Sequence, residues 1–227
     1  MARRLAFLAL WLGLMGYAFF LAPPDQPDTL SLIQNLSLGN WSDINPIIVA
    51  LFNLMGIWPL LYGSLILLDG RSQSFPAWPF AVLAFGVGAF ALLPYLALRQ
   101  PSSNFSGEQD WLLKLLDSRW LGVLAAVGIV ALLSYGASGG DWGSSWSDFA
   151  RQWQTSRFIH VMSLDFCLLC LLVPALLGDD MARRGASAWS WLAAIVPMLG
   201  LALYVCLRPP LSPSGALETG DRAVASR

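Results

Sequence analysis

Long apolar segments that are nearly free of charge constrain this chain more than any other feature. Each is long enough to cross the roughly 30 Å hydrocarbon core of a bilayer as a helix. Only 12% of the residues are charged, about half the share usual in soluble domains. We therefore predict an all-α, polytopic membrane helix bundle with about six transmembrane helices, at residues 5–22, 44–68, 78–98, 120–137, 158–177 and 189–207.

The remaining segments predict the surroundings of this bundle. Residues 30–38, 111–117 and 146–153 place apolar side chains on one side of a helix, which predicts short interfacial helices. The first apolar segment follows a basic start without a small-residue cleavage site, so we expect a retained signal anchor. Residues 1–207 then form a single transmembrane domain, and the Pro-, Ser- and Gly-rich residues 208–227 a disordered cytoplasmic tail. No internal repeat is evident.

The orientation follows from the distribution of basic residues between the loops. With six crossings and a cytoplasmic N-terminus, eight Lys and Arg residues fall on the cytoplasmic side and five on the other. The net charge of −1 excludes a nucleic-acid partner, because a phosphate backbone requires a basic surface. The bilayer is the partner that the composition predicts.

Asp165 is the one Asp, Glu, Lys or Arg deep inside an apolar segment. A carboxylate at membrane depth costs a few kcal/mol or more, so it should face protein or a water-filled cavity. Its functional interpretations are a proton-coupled site, a counter-charge for a ligand, or an acid in lipid or isoprenoid chemistry. The structural alternative is a carboxyl that fixes helix packing by bonding Asn45 or Asn53.

His160, the only histidine of the chain, precedes Asp165 by five residues. This spacing separates the two side chains by about 140° around a helix, which disfavours a catalytic His–Asp pair. His160 near the interface is either a structural histidine or a ligand of a pigment or metal. Cys167 and Cys170 lie in the same apolar helix and should act as small hydrophobes, so we predict no metal site. The sequence identifies no cofactor.

Two further pairs of polar residues are candidates for binding. Asn45 and Asn53 lie about 80° apart on the second apolar segment, which places them on one inward side. They either line a pocket or form interhelical hydrogen bonds. Asp179 and Asp180 close the fifth segment before two arginines. They either bind a diphosphate through Mg²⁺ or form a solvated helix end with ion pairs to residues four positions later.

Four stretches carry a resemblance: 45–59 (NPIIVALFNLMGIWP), 76–80 (PAWPF), 88–95 (GAFALLPY) and 157–166 (RFIHVMSLDF). Together they resemble an uncharacterised integral membrane protein family of cyanobacteria and plastids. The resemblance implies a photosynthetic membrane, a cyanobacterial source, and a multi-pass protein in the thylakoid or plasma membrane. It implies no activity.

Three functions remain open, and the residues lean away from catalysis because no catalytic or metal constellation is complete. The first is a non-catalytic membrane protein that assists the assembly or stability of a membrane complex, a photosynthetic one by the resemblance. The second is an enzyme or binding protein for a lipid or isoprenoid (carotenoid-like) ligand, acting through Asp165. The third is a small-solute or proton-coupled carrier.

Overall fold

The computed structural model describes residues 1–102, 105, 110–188, 191, 195, 196 and 198–211. Within these ranges the regular structure is entirely helical, which confirms the predicted all-α class. The disordered tail predicted for 208–227 falls largely outside the described residues. The helices are α1 (Ala2–Gly16), α2 (Thr29–Leu38), α3 (Pro46–Asp69), α4 (Trp78–Val87), α5 (Ala89–Leu98), α6 (Trp111–Leu116), α7 (Arg119–Ala137), α8 (Trp142–Thr155), α9 (Arg157–Leu172), α10 (Pro174–Arg184) and α11 (Leu199–Leu207).

Four helical stretches in the described residues are long and apolar enough to cross a membrane. They are α1 with the π-helical turn that continues it, α3 with a short 3₁₀ turn, α7, and α9 joined to α10. The predicted count of about six spans is not confirmed. The three segments expected to form interfacial helices are helical, as α2, α6 and α8.

The third apolar segment forms two short helices instead of the single span predicted over residues 78–98. Gly88 separates α4 from α5 with a φ of 51°, a left-handed conformation that glycine adopts without steric cost. The rings of Phe80 and Tyr95 lie 5.6 Å apart, so the two helices run side by side. Both outer ends also contact the end of α3, because Ala77 abuts Gly70 and Arg99 binds Asp69. The segment is therefore a re-entrant helical hairpin.

The sixth apolar segment also lacks a complete span in the described residues. Its helix, α11, has nine residues and spans only about 14 Å. It begins after Met198, whose φ is 61°, and ends at Arg208, which binds Asp180 near the end of α10. Residues 189, 190, 192–194 and 197 lie outside the described residues. Since α10 ends where α11 ends, the chain leaves and returns to the same end of the bundle.

The two ends of the bundle differ in charge. We call the end formed by residues 1–4, 69–78, 99–102, 105, 110–119, 183–188 and 208–211 the arginine face, and the end formed by 22–45 and 138–157 the opposite face. Of the eleven Lys and Arg residues that the structure describes, two lie at the opposite face, Arg151 and Arg157. The other nine lie at the arginine face: Arg3, Arg4, Arg71, Arg99, Lys114, Arg119, Arg183, Arg184 and Arg208. The difference in basic residues between the two ends, which is small for six spans, is therefore large for four.

The order of elements repeats once along the chain, although the sequence shows no repeat. Each half contains a span, a helix at the opposite face, a second span, and a segment that returns to the arginine face. By this order α1 corresponds to α7, α2 to α8, α3 to α9 with α10, and α5 to α11. The contacts agree, because α1 packs on α5 as α7 packs on α11. The fold thus consists of two halves with the same element order.

Candidate functional site

Asp165 lies where the α4–α5 hairpin turns, about 12 Å along α9 from its start. Its side chain is buried, and Oδ1 accepts a hydrogen bond from the backbone N–H of Ala89 at 2.7 Å. A Cβ atom placed on Gly88 would overlap Oδ2. The carboxylate therefore caps the N-terminus of α5, where it satisfies a free N–H group and meets the positive end of the helix dipole.

The surroundings of Asp165 are aromatic and closely packed. The ring of Trp58 lies 5.4 Å from that of Tyr62 and 6.0 Å from that of Phe166. Tyr62 donates a hydrogen bond to the carbonyl of Leu169 at 2.5 Å. The Nε1–H of Trp58 is buried and has no partner among the described residues. Asp165 thus bonds the re-entrant helix within an apolar core.

Asn45 and Asn53 do not share a site with each other, and neither contacts Asp165. Asn45 caps α3, since its Oδ1 accepts from the N–H of Ile47 at 2.9 Å. Asn53 donates to the carbonyl of Val49 in its own helix at 2.8 Å. The two amides therefore bind different partners. The cap position of Asn45 places it at the opposite face, where an exposed loop meets α3.

From this cap position, Asn45 holds α8 against the end of α3. Its amide donates to the carbonyl of Ser145 at 2.8 Å and to Asp148 Oδ2 at 2.9 Å. Burial would raise the pKa of the Asp148 carboxyl, but hydrogen bonds from Asn45, Arg151 and Gln152 outweigh burial and hold this pKa below its ordinary value. The carboxylate form of Asp148 therefore supports the packing of α8.

Both ring nitrogens of His160 are occupied by contacts within the chain. Nδ1 lies 2.8 Å from the carbonyl of Trp153, and Nε2 lies 2.9 Å from the hydroxyl of Tyr17. Because a carbonyl only accepts, Nδ1 carries the proton, and in the neutral ring Nε2 accepts from Tyr17. The imidazole also stacks on the rings of both partners. His160 thus joins α1 to α8 and α9, on a different side of α9 from Asp165.

Asp179 belongs to an ion-pair cluster, here called the first cluster, that joins α3, α5 and α10. Asp69 is fully buried at its centre. It accepts from Arg99 at 2.7 Å on each oxygen, from the hydroxyl of Tyr95 at 2.5 Å, and from Arg183. Arg99 also binds Asp179. The cluster attaches the end of the α4–α5 hairpin to two spans.

Asp180 belongs to a second cluster, which joins the end of α6 to α10 and α11. Its Oδ2 accepts from Tyr204 at 2.8 Å, from Arg184 at 3.0 Å and from Arg208 at 3.2 Å. Both arginines also bind Asp117, at 2.6 Å and 3.0 Å. The predicted pairing four positions along the helix thus holds for Asp180 with Arg184.

The clusters change the interpretation of Asp179 and Asp180. Asp179 binds Arg99 at the end of the hairpin, and Asp180 binds Arg184 of its own helix and Arg208, so neither presents an open pair of oxygens to a diphosphate. Among the described residues, no three His, Cys, Asp or Glu side chains lie together as metal ligands would. At this end of the bundle, the geometry is that of a structural ion-pair network.

The two clusters have the same chemical plan, which sequence analysis missed. In each, a tyrosine and an arginine four residues later, at the end of a re-entrant helix, bind one aspartate at the end of a span. The tyrosines and arginines are Tyr95 with Arg99, and Tyr204 with Arg208. A signal existed: Tyr-x-x-x-Arg, followed by proline within two residues, ends both apolar segments. No family model, curated protein or solved structure matches this chain.

Proposed function

We propose that this is a non-catalytic integral membrane protein that assists the assembly or stability of a membrane complex. The observation that carries the proposal is the set of contacts that the candidate carboxylates make within the chain. Asp165 and Asp179 bind the α4–α5 hairpin, at Ala89 and Arg99, and Asp180 binds the end of α11 through Tyr204 and Arg208. These contacts stabilise the positions of two re-entrant segments. The result is a fixed scaffold in the membrane.

The outward surface of this scaffold supports the same function. In the most apolar 18 residues of each span, the share buried inside the protein is 11% for the span that contains α1 and 22% for α7. The share is 56% for the span that contains α3. Two of the four spans therefore present most of their surface outward. On α7 the outward side chains include Leu124 and Val127, which are 69% and 63% exposed. An apolar surface of this kind contacts lipid or a neighbouring membrane protein.

The charge distribution supports a cytoplasmic or stromal position for the arginine face. Short loops rich in Lys and Arg stay on the side from which a chain is inserted. We extend the proposal to a photosynthetic membrane, the thylakoid or plasma membrane of a cyanobacterium, on the strength of the family resemblance.

Purification of the tagged protein in mild detergent, with mass spectrometry of what accompanies it, tests the proposal. We expect subunits of one membrane complex in fixed ratio. Replacing Leu124 and Val127 together by alanine should remove them without unfolding the protein, because these side chains face outward. Asp165→Asn is the matched control and should retain them. A partner-free protein under the same conditions would contradict the proposal.

A small-solute or proton-coupled carrier is the second candidate, because one observation favours it. Asp165 lies at the break of a re-entrant helix, and the chain has two halves with the same element order. Broken helices and internal repeats are frequent in secondary transporters, where the substrate binds near the bilayer midplane. A carrier predicts pH-dependent uptake into vesicles that Asp165→Asn abolishes. Uptake that Asp165→Asn leaves unchanged would remove this candidate.

A further inference from the structure

An apolar groove runs between α1 and α9 on the side of the bundle that faces the bilayer. Its volume is about 560 Å³, within the usual range of roughly 300–1,000 Å³ for small-molecule sites. Because both helices belong to spans, the groove is continuous with their bilayer-facing surface. Its lining residues are Ala9, Leu10, Gly13 and Leu14 of α1, Tyr17 of the π-helical turn that continues α1, and Leu164, Cys167, Leu168 and Leu171 of α9.

The groove lies between a first span of one half and the second span of the other, and the corresponding contact, between α7 and α3, is closed. There α7 packs on α3, and its glycines make this approach close. A Cβ on Gly136 would lie 3.0 Å from the Cβ of Ala50, and one on Gly128 would lie 3.3 Å from Ile57. On α1, by contrast, a Cβ on Gly13 would have no atom within 4 Å. Of the two corresponding contacts between the halves, one is therefore packed and the other is separated by a groove.

The size of the groove decides which occupant fits. A transmembrane helix about 30 Å long and 10 Å wide occupies roughly 2,400 Å³, about four times the groove volume. A single hydrocarbon chain is much thinner than a helix, and the groove from Ala9 to Tyr17 is about 12 Å long, within the depth of one leaflet. The lining also offers no charged group. Tyr17 is its most polar side chain, and the hydroxyl of Tyr17 already binds His160.

We propose that this groove binds one hydrocarbon chain, acyl or isoprenoid, of a membrane lipid. The polar end of the lipid lies toward the opposite face, near Tyr17, and the chain extends past Gly13 toward Ala9. The contact that closes the α3–α7 pair is thereby replaced by contact with the lipid chain. The site is separate from Asp165 and does not depend on the assembly role.

The test uses a phosphatidylcholine with a photoreactive diazirine in its acyl chain, in phosphatidylcholine vesicles containing the full-length protein. We expect saturable cross-linking to the groove residues of α1 and α9. Gly13→Leu should reduce it by roughly ten-fold, since the added side chain takes the space of about two buried methylene groups. Gly56→Leu is the matched control, because Gly56 is also an exposed helical glycine without atoms within 4 Å, and it should leave cross-linking unchanged.

Competition then identifies the kind of chain. Displacement of the probe by geranylgeraniol at lower concentration than by oleate would assign an isoprenoid chain, and the reverse an acyl chain. Cross-linking that is unsaturable, extends equally to Leu124 and Val127 of α7, and ignores Gly13→Leu would show boundary lipid only and overturn the proposal. A disulfide between Cys167 residues of two molecules, formed in place of lipid labelling, would assign the groove to a second copy and also overturn it.

Discussion

The two helices that return to the arginine face, α5 and α11, end alike and begin differently. At their ends, a tyrosine and an arginine bind a buried aspartate of a neighbouring span, Asp69 in the first half and Asp180 in the second. At their starts, both backbones adopt a positive φ, but the residues there are Gly88 and Met198. Gly88 lies against the Asp165 carboxylate, whereas the Met198 side chain is itself buried in the apolar core.

This difference separates two ways of fixing a helix start inside a membrane protein. The first start is held by a directional hydrogen bond from Ala89 to Asp165, and it needs a residue without a side chain. The second is held by burial of a long, flexible methionine, which fills irregular space well. The stability of the start of α5 should therefore depend on single atoms, and that of the start of α11 on side-chain volume. The ends of the two helices should respond alike to mutation.

The largest effect is expected from breaking the ends, where the halves correspond. Asp69→Asn and Asp180→Asn each remove the central negative charge of a buried ion-pair cluster. Breaking a buried pair typically costs about 3–5 kcal/mol, and the remaining pairs with Asp179 and Asp117 should keep the loss at the lower end of that range. We expect similar losses of thermal stability for both variants, measured by unfolding in detergent. Asp179→Asn is the control, because a quarter of its side chain is exposed and water screens the loss. Tolerance of only one of the two variants would show that the clusters are not equivalent.

The next effect concerns the glycine at the first start. Gly88→Ala places a methyl group on the Asp165 carboxylate and forces alanine into a positive φ, which together cost about 2–4 kcal/mol. Gly86→Ala is the matched control, since a Cβ there meets no atom within 4 Å and alanine favours the helix. Thermal unfolding of both variants is the measurement. If Gly88→Ala is as stable as Gly86→Ala, the hairpin does not turn against Asp165.

A smaller effect distinguishes the charge of Asp165 from its hydrogen bond. Asparagine retains an oxygen that accepts from the Ala89 N–H, so Asp165→Asn should cost less than about 1 kcal/mol. Asp165→Ala leaves that buried donor without a partner and should cost about 1–3 kcal/mol. Unfolding in detergent at neutral pH compares them. A large loss in Asp165→Asn would show that the negative charge itself, interacting with the helix dipole, holds the first start.

Sequence reasoning reached the all-α class and apolar helices long enough to cross a membrane, because long segments without charges are compatible with an apolar environment only as helices. It failed to distinguish a re-entrant hairpin from a span, because the two lie in the same apolar environment and have the same composition. The break at Gly88 is visible only once its φ is known. Asp165 was found because a charge in an apolar segment is conspicuous. Asp69 and Arg99 were not, because each lies at the end of its segment, where a charge is normally solvated.

The smallest effect compares the helices of the two halves at the opposite face. On α2, Leu36 is buried in an apolar cluster, and Phe149 and Trp153 of α8 pack against the same cluster. Only α8 is in addition attached through a carboxylate, that of Asp148, which binds Asn45. The pKa of Asp148 is held below its ordinary value in the folded protein. Its contribution to stability is therefore complete above the unfolded pKa of about 4 and is lost as the pH falls through the lower folded pKa.

Acid should thus loosen α8 but not α2. Hydrogen–deuterium exchange at pH 7 and pH 3, after correction for the intrinsic rate, should show faster exchange in α8 alone. Asp148→Asn should exchange alike at both pH values, and equal acid sensitivity of α2 and α8 would show that another group controls this face.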